Sequence, residues 1–242
     1  MTHSNDIMMK PVGFIHSPYN DKFAVPRQPR LAPSAVCVLE FYPPYDTENA
    51  FEGIDGFSHL HLIFLFDRVC YEEFKPRVRP PRLGGNTYVG VFATRSPFRP
   101  NRIGMSIVKL ERVIRQKGRV KLVISGADLV DGTPVLDIKP YIPFVDSIPE
   151  AEGGFAKEPP VKLSVEFSQE SKKSLSVLSD RCIKAIEESL SQDPRPAYKS
   201  DDNDSKMYCA KLYGFAVYFT VADLKVSVIK AERFEAVNEN LL

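Results

Sequence analysis

The sequence predicts a mainly β protein that ends in a small α+β unit, and three observations carry that prediction. Apolar and polar residues alternate with period two through most of the first 141 positions, the signature of half-buried strands. Prolines, glycines and the pairs Lys117-Gly118 and Asp131-Gly132 cut these runs into short lengths joined by turns. A helical segment appears only late, over residues 168–190, where Ser168 is placed as a cap and the helix must stop before Pro194.

In chain order, residues 9–17 read as the first strand and 35–41 (AVCVLEF) as the second, with a helical turn at 46–51. Residues 57–67 (FSHLHLIFLFD) form the most apolar strand and belong at a sheet centre. His59 and His61 share one face of it, which reads as packing or hydrogen bonding because no third metal ligand stands at a fixed offset. Residues 71–86 form a long loop of interleaved prolines and cations, a length more often functional than structural. Residues 88–94 read as a strand, stopped by Ser96-Pro97 and Arg99-Pro100 because proline fixes φ and lacks a donor. Residues 103–116 and 119–125 pair as a hairpin, and Asp131-Gly132 turns the chain into a last strand at 135–141. Residues 148–160 have linker composition. Beyond them, 161–167, 207–220 and 224–234 join the helix in the C-terminal unit, and the acidic residues 200–205 are expected to be flexible. The expected division is therefore 8–147, a linker at 148–160, and 161–242.

A chain of 242 residues that is 43% hydrophobic can bury one large domain and an appendage. No apolar run nears the ~18 residues of a membrane span, and the polar start has no signal-peptide profile. Cys37, Cys70, Cys182 and Cys209 lie far apart without CxxC spacing. A reduced, cytoplasmic protein with no disulfide, metal or membrane partner is expected. Charge is segregated. Residues 75–121 hold thirteen of the chain's 32 basic side chains but only one of its 31 acids, Glu111. A segment of net charge +12 in a chain of net charge +1 points to a polyanion met by one face.

Stiff, proline-flanked loops present the cations of interest: Arg27; Arg77, Arg79 and Arg82; Arg95, Arg99, Asn101 and Arg102; and Arg195 with Lys199. Arginine suits planar, bidentate recognition of carboxylate and phosphate. Asp137, Lys139 and Tyr141 lie at period two on one strand face, a trio costly to bury without a purpose. Tyr42-Pro43-Pro44-Tyr45 is not the amine-binding motif of many amino-methyltransferases, since Tyr42 replaces the required Asp or Asn. No G-x-G-x-x-G follows a strand to build a dinucleotide-type fold.

Several motifs taken together resemble the TsaA-like, or TrmO, family: Arg27-Gln28-Pro29, Phe57-Ser58-His59-Leu60, the run from Arg79 to Asn86, the run from Val91 to Asn101, that from Asp128 to Pro134, and Asp137-Ile138-Lys139-Pro140-Tyr141. The resemblance is close over residues 12–145 and resumes at 193–198. It implies a small closed β-barrel rather than a Rossmann sheet, and a homodimer with S-adenosylmethionine near the subunit interface. It further implies methylation of the exocyclic nitrogen of threonylcarbamoyladenosine at position 37, beside the anticodon of a threonine tRNA. The cofactor contacts it implies are Gln28, Pro29, Arg30, Leu31, Asp67, Arg68, Arg95, Met105, Ser125, Gly126, Ala127 and Asp128. On this reading Arg27, Arg77, Arg79, Arg82, Arg99, Asn101, Arg102, Arg195 and Lys199 face RNA, with Arg99 and Asn101 toward the modified nucleoside. Asp137 takes or orients the proton of a poorly nucleophilic nitrogen, while Lys139 and Tyr141 fix the carbamoyl or carboxylate group. The C-terminal unit is expected to touch tRNA.

Two other classes are compatible with parts of the sequence. A non-catalytic RNA-binding module would not bind S-adenosylmethionine. A methyltransferase for a small anionic metabolite would show a shallow salt dependence, whereas a tRNA substrate gives a steep one.

Overall fold

A computed structural model describes residues 7–69, 73–196, 204–238 and 241. Lys199 and positions 200–203 of the acidic stretch lie outside the described residues. Twelve strands are described: β1 (Gly13–His16), β2 (Val36–Phe41), β3 (His59–Leu65), β4 (Arg77–Val78), β5 (Val89–Gly90), β6 (Ile103–Gln116), β7 (Arg119–Ser125), β8 (Pro134–Pro140), β9 (Ser164–Phe167), β10 (Asp204–Leu212), β11 (Phe215–Ala222) and β12 (Lys225–Arg233). The helices are α1 (Pro143–Asp146), α2 (Gln169–Leu175) and α3 (Asp180–Leu190). Six strands close an antiparallel barrel in the order β1-β2-β7-β6-β3-β8, and a second sheet runs β10-β11-β12-β9.

The barrel follows from alternation. Ile15, Leu39, Leu60, Leu62, Phe64, Val108, Leu122, Ile124 and Val135 are buried together inside it. Strands β2 and β7 read as continuous apolar runs because both their faces are covered. Cys37, Leu39, Leu122 and Ile124 point in. Val38 and Val123, partners in the ladder, point out and join a second core with Ala185, Ile186, Leu190, Val217 and Phe219. The C-terminal unit is thus packed on the outside of β2 and β7, each fully buried Leu or Ile contributing about 1.5–3 kcal/mol. The Lys117-Gly118 hairpin forms as expected, with both residues at positive φ (53° and 73°).

Two expectations are corrected. Residues 88–94 are not a barrel strand. Only Val89 and Gly90 make a ladder, with Val78 and Arg77, and a 3₁₀ turn follows at Val91–Ala93. The Thr94 amide and hydroxyl both donate to the Val91 carbonyl, at 3.1 and 2.8 Å, and close that turn. Nor is 168–190 one helix. Ser168 Oγ caps α2 by accepting from Ser171 N, and Ser179 Oγ caps α3 by accepting from Cys182 N. A serine that bonds the backbone ahead of it starts a new helix in place of continuing the old one.

Candidate active site on the outer barrel face

The ladders place outward-facing residues in rows across neighbouring strands. One row runs Asp137, Ile63, Met105, and the next runs Lys139, His61, Ile107. A third runs Tyr141, His59, Lys109, Ser125: Tyr141 N donates to His59 O, and Lys109 is the ladder partner of both His59 and Ser125. At about 4.8 Å per strand this last row spans about 14 Å. All three predicted catalytic residues therefore share one face with Met105 and Ser125. Lys139 Nζ lies 3.3 Å from Asp137 Oδ2. The Tyr141 ring sits 6.3 Å from His59 and 5.6 Å from His61. His61 Nε2 pairs with Asp146 Oδ2 at 3.1 Å, and His59 Nδ1 lies 2.9 Å from Ser58 Oγ. No group of three or more metal-ligating side chains occurs among the described residues.

The third row opens into a cleft of about 300 Å³ lined by Arg30, Pro33, Ser34, His59, Lys109, Glu111, Ser125, Gly126 and Arg181. Arg30, Ser125 and Gly126 are predicted cofactor contacts. Their two segments are laced together: Arg30 N donates to Gly126 O at 2.8 Å, and Gly126 N donates to Ala35 O at 3.1 Å. Gly126 has φ of +74°, and a Cβ there would stand 3.3 Å from Arg30 Cα, so glycine is what permits the approach. Glu111 accepts from Ser125 Oγ at 2.7 Å and from Arg181 Nη2 at 2.7 Å. Burial raises the Glu111 carboxyl, but the bonds from Ser125, Arg181 and Lys109 outweigh it and hold it at about 2. Glu111 stays ionised throughout the neutral range.

Of the other cofactor candidates, Gln28, Arg95 and Asp128 are linked to one another. Arg95 Nη1 donates to Gln28 Oε1 at 2.8 Å, joining the arginine loop to the 28–31 segment. Asp128 accepts from Ser106 Oγ at 2.5 Å. Burial pushes its carboxyl up to about 6 against the lowering influence of that bond and the Arg95 charge. Asp67 and Arg68 stand apart from these, Arg68 donating to the Asp131 carbonyl. Met105 is exposed, two rows from the cleft.

The predicted RNA contacts divide. Arg195 is corrected outright: it is only 3% exposed and its Nε and Nη2 each lie 2.8 Å from the Asp193 carboxylate. Arg99 donates to Thr94 O at 2.6 Å and Val91 O at 3.4 Å within its own loop, and its guanidinium lies over the exposed Phe92 ring at 5.8 Å. Arg27 donates to the carbonyls of Asp193 and Arg195, and Arg102 to that of Val69. Arg77 and Arg79 stack on Tyr88 at 5.2 and 4.3 Å. Arg82 and Asn101 are exposed. Lining residues that the sequence had not assigned to the site are Pro33, Ser34, His59, Lys109, Glu111 and Arg181. Glu111 carried a signal, being the lone acid of the basic segment.

Both halves of the chain match family models: the tRNA-methyltransferase O N-terminal domain over residues 14–147 and the TrmO C-terminal domain over residues 160–234. The chain belongs to the tRNA-methyltransferase O family. It is 46% identical over 225 residues to the tRNA (adenine(37)-N6)-methyltransferase of Escherichia coli (strain K12), covering 91% of this chain and 96% of that one. A Pseudomonas aeruginosa relative that bears an S-adenosylmethionine-dependent methyltransferase name, RcsF, is 44% identical over 90% of this chain and 93% of its own. The crystal structure of TrmO from Pseudomonas aeruginosa superposes with a TM-score of 0.76 at 37% identity, covering 96% of this chain and 99% of that one. As a TrmO-family protein the chain is a mainly β, S-adenosylmethionine-dependent methyltransferase. No described helix is long and apolar enough to cross a membrane.

Proposed function

We propose that this protein transfers a methyl group from S-adenosylmethionine to the exocyclic nitrogen of threonylcarbamoyladenosine at position 37 of a threonine tRNA. The observation that carries the reading is the shared outer face, where the laced Arg30/Gly126 cleft and the Asp137–Lys139–Tyr141 trio lie within a few residues of each other. The cleft fits the donor: cations for its carboxylate (Arg30, Lys109), an ionised carboxylate (Glu111) and a hydroxyl (Ser125) for its polar groups, and Gly126 for close backbone approach. The bound donor supplies an electrophilic methyl on a sulfonium.

The chain's own residues do the rest, chiefly by positioning. Arg95, tied to Gln28, closes one side of the site. Asp137 holds or accepts the proton of the amide-like nitrogen, whose lone pair is delocalised; a general base contributes about 10²–10⁴-fold. Lys139 leaves its exposed pairing with Asp137 for the threonyl carboxylate, an exchange that costs little because exposed ion pairs are worth about 0–1 kcal/mol. Tyr141, set between His59 and His61, borders the carbamoyl group. The basic segment and the exposed Phe92, which is 70% exposed, match a single-stranded anticodon loop with its phosphates and open bases. Exposed Phe144, Val145 and Ile148 form an apolar surface that a second copy of the chain covers, in a cytoplasmic homodimer. Arg27 and Arg102 take part by shaping the loops that carry these contacts. Single-turnover methylation with Asp137→Asn tests the assignment: the rate should fall at least about 10²-fold, and full turnover would remove Asp137 from the role.

A further inference from the structure

We propose that the C-terminal unit builds part of the methyl-donor cleft in its own chain, with Arg181 and Glu188 of α3 as positioning residues for the 27–34 loop. The inference rests on reading the cleft as the donor site. Glu188 accepts from both Ser34 N (2.9 Å) and Ser34 Oγ (3.0 Å). Arg181 Nε donates to Ser34 O at 3.2 Å, and its Nη2 donates to Glu111 Oε1, the same oxygen that Ser125 Oγ reaches. The other end of the loop is held too, because Arg27 donates to the carbonyls of Asp193 and Arg195. Those carbonyls sit in a turn fixed by the buried Arg195–Asp193 pair.

Gln28 to Leu31 thus hang between two anchors, both supplied by residues 181–195. A loop of this kind gains affinity for a ligand by being held in its bound shape beforehand. Arg181 also lines the cleft itself. The hydrogen bonds are charge-assisted and join segments more than 140 positions apart in the chain, which is more than packing of the two units requires. Val38 and Val123 already supply that packing through the second core.

The test is calorimetry with S-adenosylmethionine on the full chain, paired with tRNA methylation kinetics at saturating cofactor. Glu188→Ala and Arg181→Ala each remove two charge-assisted hydrogen bonds and should each weaken cofactor binding about tenfold or more, while KM for tRNA stays put. Glu188→Gln, which keeps one acceptor oxygen, should recover part of the loss, and it decides the matter if the alanine variants do not fold. Lys184→Ala, on the exposed side of the same helix, should behave as wild type. Gly126→Val separates the underlying premise, since it must weaken binding if the cleft holds the donor. If Gly126→Val weakens binding while Glu188→Ala and Arg181→Ala do not, the positioning role is overturned and the site stands. If none of the three alters binding, the donor site lies elsewhere and both fall. A raised KM for tRNA with unchanged cofactor affinity would overturn the inference by making α3 an RNA contact.

Discussion

Arg95 and Arg99 stand four positions apart on one loop and do different work. Arg95 reaches Gln28, so Arg95→Ala should raise the dissociation constant for S-adenosylmethionine, read by calorimetry. Arg99 instead ties the carbonyls of Thr94 and Val91. Arg99→Ala should loosen the whole loop and lower both cofactor binding and tRNA use, where an arginine facing RNA would have changed tRNA use alone. Asp128 gives a pH prediction. Its carboxyl titrates at about 6 in the folded protein, raised from 3.8 by burial. Between those values the folded state binds more protons than the unfolded one, so this group makes stability fall as pH rises through that window. Asp128→Asn should flatten that slope in urea unfolding measured from pH 4 to 7; an unchanged slope would show that Asp128 titrates normally. Glu111 acts oppositely and lower down, its contribution being lost only as pH falls from 4.5 toward about 2.

At the scale of elements, the seven alternating runs announced themselves, and six of them are barrel strands. Residues 88–94 failed because alternation alone cannot tell a strand from a short ribbon followed by a turn. The Thr94 bonds to Val91 win over a ladder that has no neighbouring strand to join. The split of the 168–190 helix had a signal in Ser179, whose side chain competes for the backbone ahead of it. Removing that cap by Ser179→Ala should cost about 0.5–2 kcal/mol, measurable by chemical denaturation, and the same change at Ser176, whose exposed Oγ donates only to the Lys173 carbonyl and frees no helix-starting amide, should cost less. The proposed donor cleft was only half legible. Arg30, Ser125 and Gly126 were implied by the family resemblance, but Ser34, Lys109 and Arg181 meet there only once β6, β7 and α3 are packed.

At the scale of the whole molecule, two cores share β2 and β7. Ile186 is fully buried where α3 meets the barrel side of the second core, and Ile186→Ala should cost about 2–5 kcal/mol. Because α3 also holds the 27–34 loop, that variant should unfold in a single transition and lose cofactor affinity along with stability; two separate transitions would show the units to be independent. The charge segregation read from the sequence survives folding only in part. Arg99 and Arg102 spend donors on the protein's own carbonyls, and Arg115, Arg119 and Lys121 pair with Asp55, Asp46 and Glu40. The salt dependence of tRNA binding should accordingly be steep but report fewer phosphate contacts than the thirteen cations of residues 75–121. Mass spectrometry of tRNA nucleosides, after incubation of unmethylated tRNA with the protein and S-adenosylmethionine, bears most directly on the central claim. A gain of one methyl on threonylcarbamoyladenosine of threonine tRNA, lost with Asp137→Asn, is the predicted result, and tRNA left unmethylated, or methylated at another nucleoside, would contradict it.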